Sequence, residues 1–288
     1  MNIDIERLAP ELQSLPSPFL RAFLNDQYDK EGSEFSVTEL LSPPQRTWLG
    51  LTHKKVETPY STFAALLGSA IHWVLEMNAD PEAGEIAEKR YFAEMHGSIV
   101  SGKMDYYEHK TVFDYKSTRG VQEKMKEDHW KQVNMNAYLA KQNGVEVHNV
   151  GVVYVQLDWS YMQSQVNPTA PKSPYRPFIH PYDEKVALTE FAIRIRDHQE
   201  AKKGSWRPCT PDEQWAKPDI FAVMAAGGKR AVNGGLCATM TDALAMQKPG
   251  QVIQTRKGEL TYCLNFCGFY AFCEQAQRQS TKSSCELS

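Results

Sequence analysis

The sequence predicts an α/β fold, a central mixed sheet flanked by helices, and three observations carry that expectation. Apolar residues at helical spacing between 58 and 78 precede two adjacent β-patterned segments, which a second helical stretch follows at 121–143. The β-rich run HNVGVVYVQL, residues 148–157, then reads as a buried strand. A helix over 183–203 completes an order of helix, paired strands, helix, strand and helix, which suits a sheet covered by helices.

Taken in order, the first thirty-odd residues read as short helical pieces broken by Pro10, Pro16 and Pro18. Ser36 with Glu39 three residues later forms a capping-box pattern opening a short helix, and Pro43-Pro44 stops it. The helix between Thr58 and Asn78 carries Phe63, Leu66, Leu67, Ala70, Ile71, Val74 and Leu75 on a helical repeat. Two strands, IVSGKMDYY and TVFDYK, flank a tight turn at Glu108-His109-Lys110. Residues 167–181 are Pro-rich and read as a loop. Beyond Gly204 the periodicity weakens, and 205–277 reads as an appended subdomain with a tail at 278–288 containing Cys285. The organisation expected is therefore an N-terminal helical region (1–57), a core (58–204), the subdomain and the tail.

A chain of 288 residues can bury a substantial core, and its 42% hydrophobic and 23% charged residues are ordinary for a globular protein. No apolar run is long enough to span a bilayer, and MNIDIERLAPELQ lacks a secretory pattern, so a cytoplasmic setting without a membrane partner is expected. The net charge of −3 argues against a protein that coats DNA. It leaves room for an enzyme acting on DNA, which needs only a local basic track and a metal ion at the scissile phosphate.

The chemistry concentrates in Gly102-Lys-Met-Asp105 and, nine residues beyond, Asp114-Tyr-Lys116. A tight turn between the strands lets Asp105 and Asp114 converge, and strand alternation puts Asp114 and Lys116 on one face. Two hard oxygen ligands beside an ammonium group suit Mg²⁺ or Mn²⁺ and phosphodiester hydrolysis. His72, with Glu76 a turn later, could add a ligand from the preceding helix. A D-x-K triplet alone more often decorates a strand edge, and a lone helical His more often packs in a core; order and company raise this one above that background. Trp130, Lys131, Lys124 and Lys126 would either line a DNA path or form one helix face with core aromatics. Gly227-Gly228-Lys229-Arg230 lacks the spacing of a phosphate loop.

With these residues in view, the sequence resembles the RecB-type branch of the PD-(D/E)XK nucleases, which includes CRISPR-associated exonucleases and many phage nucleases. The segments that carry the resemblance are GSAIHWVLE (68–76), IAEKRYF (86–92), IVSGKMDYYEHKTVFDYKST (99–118) and HWKQVNMNAYLA (129–140). It implies a restriction-endonuclease-like core and a phage-type metal-dependent deoxyribonuclease, an exonuclease acting on single-stranded DNA or duplex ends. Replication, recombination or repair would be its setting, with proteins of those processes as partners, in the host cytoplasm if phage-encoded. By position it implies His72, Asp105 and Asp114 as metal ligands, Lys116 as the catalytic lysine and Gln132 as the glutamine of the following helix. Where the family carries a tyrosine four residues after that glutamine, this chain has Asn136, with Tyr138 beyond; Glu88 would take a supporting role.

Cys209, Cys237, Cys263, Cys267, Cys273 and Cys285 all fall in the last third. Clustered thiols in a chain read as cytosolic point to a metal site, with ordinary buried cysteines as the alternative. Several of the resembling nucleases hold a 4Fe-4S cluster with one upstream and three C-terminal cysteines, but Pro43 stands where the upstream ligand is expected. Cys209, in a Cys-Thr-x-x-Glu-x-Trp segment similar to phage-type relatives, substitutes for it. Cys209, Cys263, Cys267 and Cys273 would then hold either that cluster or one Zn²⁺. Cys237 reads as a small packed residue. Two rivals stand beside the enzyme: a catalytically inactive DNA-binding or assembly module with a metal-stapled C-terminus, and an iron–sulfur protein whose acidic motif is incidental.

Overall fold

The computed structural model describes residues 4–24 and 30–278; the tail from 279, with Cys285, lies outside them. Short 3₁₀ turns lead into α1 (Ser17–Leu24). Strand β1 (Phe35–Ser36) passes directly into α2 (Val37–Leu41), where Ser36 and Glu39 form the expected reciprocal capping box. Pro43 and Pro44 end that helix and also begin another, α3 (Pro44–Thr52), because proline's fixed φ suits the first helical position. Helix α4 (Pro59–Glu76) starts at a second capping box made by Thr58 and Ser61.

The central sheet contains β1, β2 (Ile86–Met95), β3 (Ser98–Glu108), β4 (Thr111–Thr118), β5 (Asn149–Gln156) and β6 (Tyr175–Pro181). It is mixed: β1 runs parallel to β3 and β4 parallel to β5, while the β2–β3, β3–β4 and β5–β6 pairs are antiparallel. The turn between β3 and β4 holds His109 and Lys110 at φ 44 and 60, the left-handed pair of a tight hairpin. The expected strand at 148–157 is β5, buried through Val150 and Val152.

Three expectations change. Strand β2 was not distinguished from the sequence. The Pro-rich stretch expected as a loop forms α6 (Tyr161–Val166) just before it and β6 within it. Pro177 and Pro181 are tolerated in β6 because it is an edge strand. Helix α5 (Glu127–Gln142) begins later than expected, since the Lys126 N–H donates to the Tyr154 hydroxyl and residue 126 stays extended. Glu127 and Asp128 then stabilise the positive end of the helix.

Helix α7 (Glu184–Lys202), capped by Asp183, packs with α5 against the sheet around Val100, Met104, Val133, Leu139, Val152 and Phe191. Phe35, Val37 and Leu40 belong to the same core, so residues 35–41 are built into the central unit despite lying before position 58. Residues 205–278 carry a three-stranded sheet, ordered β8-β7-β9, from β7 (Ile220–Ala225), β8 (Ala231–Cys237) and β9 (Gln251–Arg256). Helices α8 (Met240–Met246) and α9 (Thr261–Asn265) accompany it. Cys237 packs with Val223 and Ala243 in a small apolar cluster, as expected. No helix among the described residues is long and apolar enough to cross a membrane.

Helix α5 lies close against β3 at Gly102. A Cβ there would meet Asn136 Oδ1 at 2.4 Å and a Leu139 methyl at 2.8 Å. Gly102→Ala should therefore destabilise the protein by about 1–3 kcal/mol, the usual penalty for forcing a methyl into a filled core, measured by urea denaturation.

Candidate metal centre

One edge of β3 is paired by β2 from Ser98 to Tyr107 except at Asp105, but the other edge is interrupted further. There β1 pairs as far as Ser101 and β4 begins at Tyr106, so residues 102–105 face no strand on that side. Helix α5 fills part of the gap, with Asn136 Nδ2 donating to Lys103 O at 3.4 Å. Asp105 fills the rest. Its Oδ2 accepts the Tyr115 N–H at 2.7 Å, replacing the ladder bond that the diverging strands no longer make.

Across the other edge, Ala87 pairs with Tyr106 and Lys89 with Met104, which sets Glu88 opposite Asp105. Glu88 has φ 50, a left-handed conformation uncommon for a non-glycine residue within a strand. This local kink re-aims its carboxylate toward α4, where His72 Nδ1 donates to Glu88 Oε1 at 2.8 Å. Lys103 forms an ion pair with the second Glu88 oxygen. The other His72 nitrogen, Nε2, lies 3.7 Å from Asp105 Oδ2. Ligand atoms of His72, Glu88 and Asp105 thus lie within 4.8 Å of one another, a spacing one ion could bridge.

Asp114 is buried on β4, and Lys116 Nζ lies 2.8 Å from its Oδ2. The directed hydrogen bond goes to the other oxygen, at 3.1 Å, leaving the buried Oδ2 without a hydrogen-bond partner. Burial, and then the charge of Asp114, push the Asp105 carboxyl up to about 7. Burial opposes the charge on Lys116, yet Asp114 and Asp105 hold its pKa above the ordinary lysine value. His72 is raised by its hydrogen bond to Glu88, against burial, with help from Asp105. Glu88, despite burial, is held low by His72 and Lys103.

The structure thus gathers His72, Asp105, Asp114 and Lys116, and it alters their company. Glu88, read from the sequence as a supporting residue, stands in the triad with His72 and Asp105, while Asp114 is engaged by Lys116. No periodicity marked Glu88, because its position follows from β2–β3 register and its orientation from a backbone kink. Gln132 is half-buried on α5 without a hydrogen bond to the acidic cluster, and Glu76 is exposed and does not join it. His129, unremarked in the sequence, hydrogen-bonds the Tyr154 hydroxyl at 2.9 Å. Burial, then the charges of Lys116 and Lys126, push it down to about 3, so it is neutral. Trp130 packs against the core, and Lys131 is paired with Glu127 and Glu190 at 2.9 and 3.2 Å. Those two residues follow the core reading; Lys124 and Lys126 are exposed.

A second constellation lies elsewhere. Cys209, Cys263, Cys267 and Cys273 line one pocket together with Pro43, Gln45 and Arg46 of the α3 region. Gln45 is buried among the thiols: its Oε1 accepts from Cys209 Sγ at 3.2 Å and its Nε2 donates to Cys273 Sγ at 3.6 Å. Burial, then Glu213 and the neighbouring thiols, push Cys209 up to about 12, and burial, then Cys267 and Cys273, push Cys263 up to about 11, so both are protonated thiols in this form.

No protein-family model and no curated protein matches the sequence. A solved structure described as "Crystal structure of SSO0001" is similar at a TM-score of 0.45 and 16% identity, over 64% of this chain and 87% of that one.

The raised carboxyl has a measurable consequence. Between the ordinary aspartate range and pH 7 the folded chain binds more protons than the unfolded chain at Asp105, so metal-free stability falls as pH rises through that window. His72 acts in the same direction, its stabilisation being lost as pH rises through its elevated pKa. Glu88, held low, acts oppositely but below its ordinary value of 4.5. In chelator, Asp105→Asn should be more stable than the wild type at pH 8 by at least ~1 kcal/mol, with a smaller difference at pH 4, as read by urea denaturation. Equal stability at pH 8 would contradict the buried-charge account.

Proposed function

We propose that this chain is a divalent-metal-dependent deoxyribonuclease of the PD-(D/E)XK type, with a restriction-endonuclease-like core of the RecB-like branch. The observation that carries the reading is the convergence of Asp105, Asp114 and Lys116 with His72 at the interrupted edge of β3. Two carboxylates that share one ammonium, the buried Asp114 paired with Lys116 and beside it an Asp105 carboxyl that resists ionisation, are a donor set that a divalent cation would satisfy.

Asp105 and Asp114, with His72 and Glu88 beside them, would hold Mg²⁺ or Mn²⁺, which supplies Lewis acidity and lowers the pKa of an attacking water. The remaining work falls to the chain. Lys116, kept cationic by its two acidic neighbours, supplies positive charge where charge develops on the phosphoryl oxygens and can orient the nucleophilic water. Asp114 anchors the ammonium in the interim. Glu88 fixes the imidazole of His72 and its tautomer, leaving Nε2 directed at Asp105. Action on single strands or duplex ends, with an exonuclease outcome and a replication, recombination or repair setting, follows the sequence resemblance.

The reading extends to a 4Fe-4S cluster in the four-cysteine pocket, with one Zn²⁺ as the alternative. Cys209 would take the place of the ligand expected at Pro43, and both residues line this pocket. The group would tie α3 to the C-terminal region.

Two experiments test these readings. With Mn²⁺, the purified chain should degrade linear single- or double-stranded DNA, and Lys116→Ala or Asp114→Ala should each lower the rate by ~10²-fold or more. Intact substrate across several divalent metals would refute the nuclease. Separately, anaerobically purified protein should be brown and contain iron, and Cys209→Ser should lose most of it; zinc, or neither metal, would refute the cluster.

A further inference from the structure

Helix α4 is amphipathic in the reverse of the usual sense. His72 points inward to the acidic site, about 160° around the helix from Ala70 at 100° per residue. The face centred on Ala70 carries Phe63, Leu66, Trp73, Val74 and Met77, which are 39–67% exposed. These positions follow i, i+3, i+7, i+10, i+11 and i+14, the seam of a helix that packs against another helix. Nothing among the described residues of the chain covers it.

The composition of the stripe identifies its occupant. Between Pro59 and Met77 the one charged residue is Glu76, and Asp80, Glu82 and Glu85 follow. A helix without lysine or arginine and with acidic residues beyond it is unsuited to phosphate backbones or anionic lipid. Its apolar positions are symmetric about Ala70: Phe63 and Met77 lie seven residues to either side, and Leu66 and Val74 four. A two-fold axis near Ala70 would therefore set Phe63 of each copy against Met77 of the other, and Leu66 against Val74, with the small alanines allowing close approach at the centre. An isologous contact requires this self-complementarity. Half-exposed large side chains contribute roughly 100 Å² each, so two stripes bury on the order of 1,000–1,400 Å², at the lower end of stable interfaces.

We infer that the outer face of α4 is the interface of an antiparallel, two-fold homodimer of this chain. The pairing uses the face opposite His72 and leaves the acidic site of each copy in place, so it stands or falls independently of the nuclease reading.

Sedimentation velocity of the full chain tests it. At tens of micromolar the wild type should sediment as a dimer, and Leu66→Glu should weaken association by at least ~100-fold, with the far-UV circular dichroism spectrum unchanged. Leu244→Glu, at an exposed leucine on α8, should leave the dimer intact. Phe63→Glu and Met77→Lys should each weaken the dimer, and the double variant should restore it, because each glutamate then meets a lysine of the other copy. A wild type that is monomeric at those concentrations overturns the inference, even if the stripe then binds another protein, DNA or vesicles. So does a dimer indifferent to Leu66→Glu, or a double variant weaker than both single ones.

Discussion

The arrangement around the acidic site depends on a gap in hydrogen bonding. Between Ser101 and Tyr106 one edge of β3 has no strand beside it, and a buried backbone left in that state would cost several kcal/mol. Two substitutes repair it. Asn136 reaches Lys103 O from α5, and the Asp105 carboxylate takes the Tyr115 N–H. The second repair places a carboxylate where two strands part, next to Asp114, so a structural necessity of the sheet and a concentration of negative charge occur at one point. Gly102 permits it, because any side chain there would hold α5 away from β3.

That concentration works against the stability of the folded chain. A carboxyl held protonated to about 7 and a glutamate in left-handed conformation within a strand are two departures from relaxed protein chemistry within one site. Such departures persist only where the surrounding structure over-determines them, and they cluster at functional positions. Here the constraint comes from both sides: β2 register and the Lys103 ion pair hold Glu88, and the buried parallel pair β4–β5 holds Asp114 and Lys116.

The C-terminal region is organised on a different basis. Its apolar clusters are small: Leu49, Cys263, Phe269, Cys273 and Ala276 in one, Val223, Cys237 and Ala243 in another. One wall of the cysteine pocket comes from the α3 region, so the contact joins residues more than 200 positions apart, as Gln45 to Cys273 shows. A group bound by four thiolates there would add a covalent tie where burial alone contributes little. The stacked pair Trp48 and Trp206, 4.8 Å between centroids, reinforces the same junction.

Local patterns in the sequence determined the capping box at Ser36, the β3–β4 hairpin, strand β5, helix α7 and the meeting of Asp105, Asp114 and Lys116, because each rests on residues close in the chain. Tertiary structure decided the rest. Whether a Pro-rich stretch pairs as an edge strand depends on β5 beside it, and where α5 begins depends on a tyrosine 28 residues away. The place of Glu88 in the triad required the register of β2 on β3. The outward turn of the apolar face of α4 could not be read from a helical repeat, since periodicity fixes which residues share a face and the neighbours fix which way that face looks.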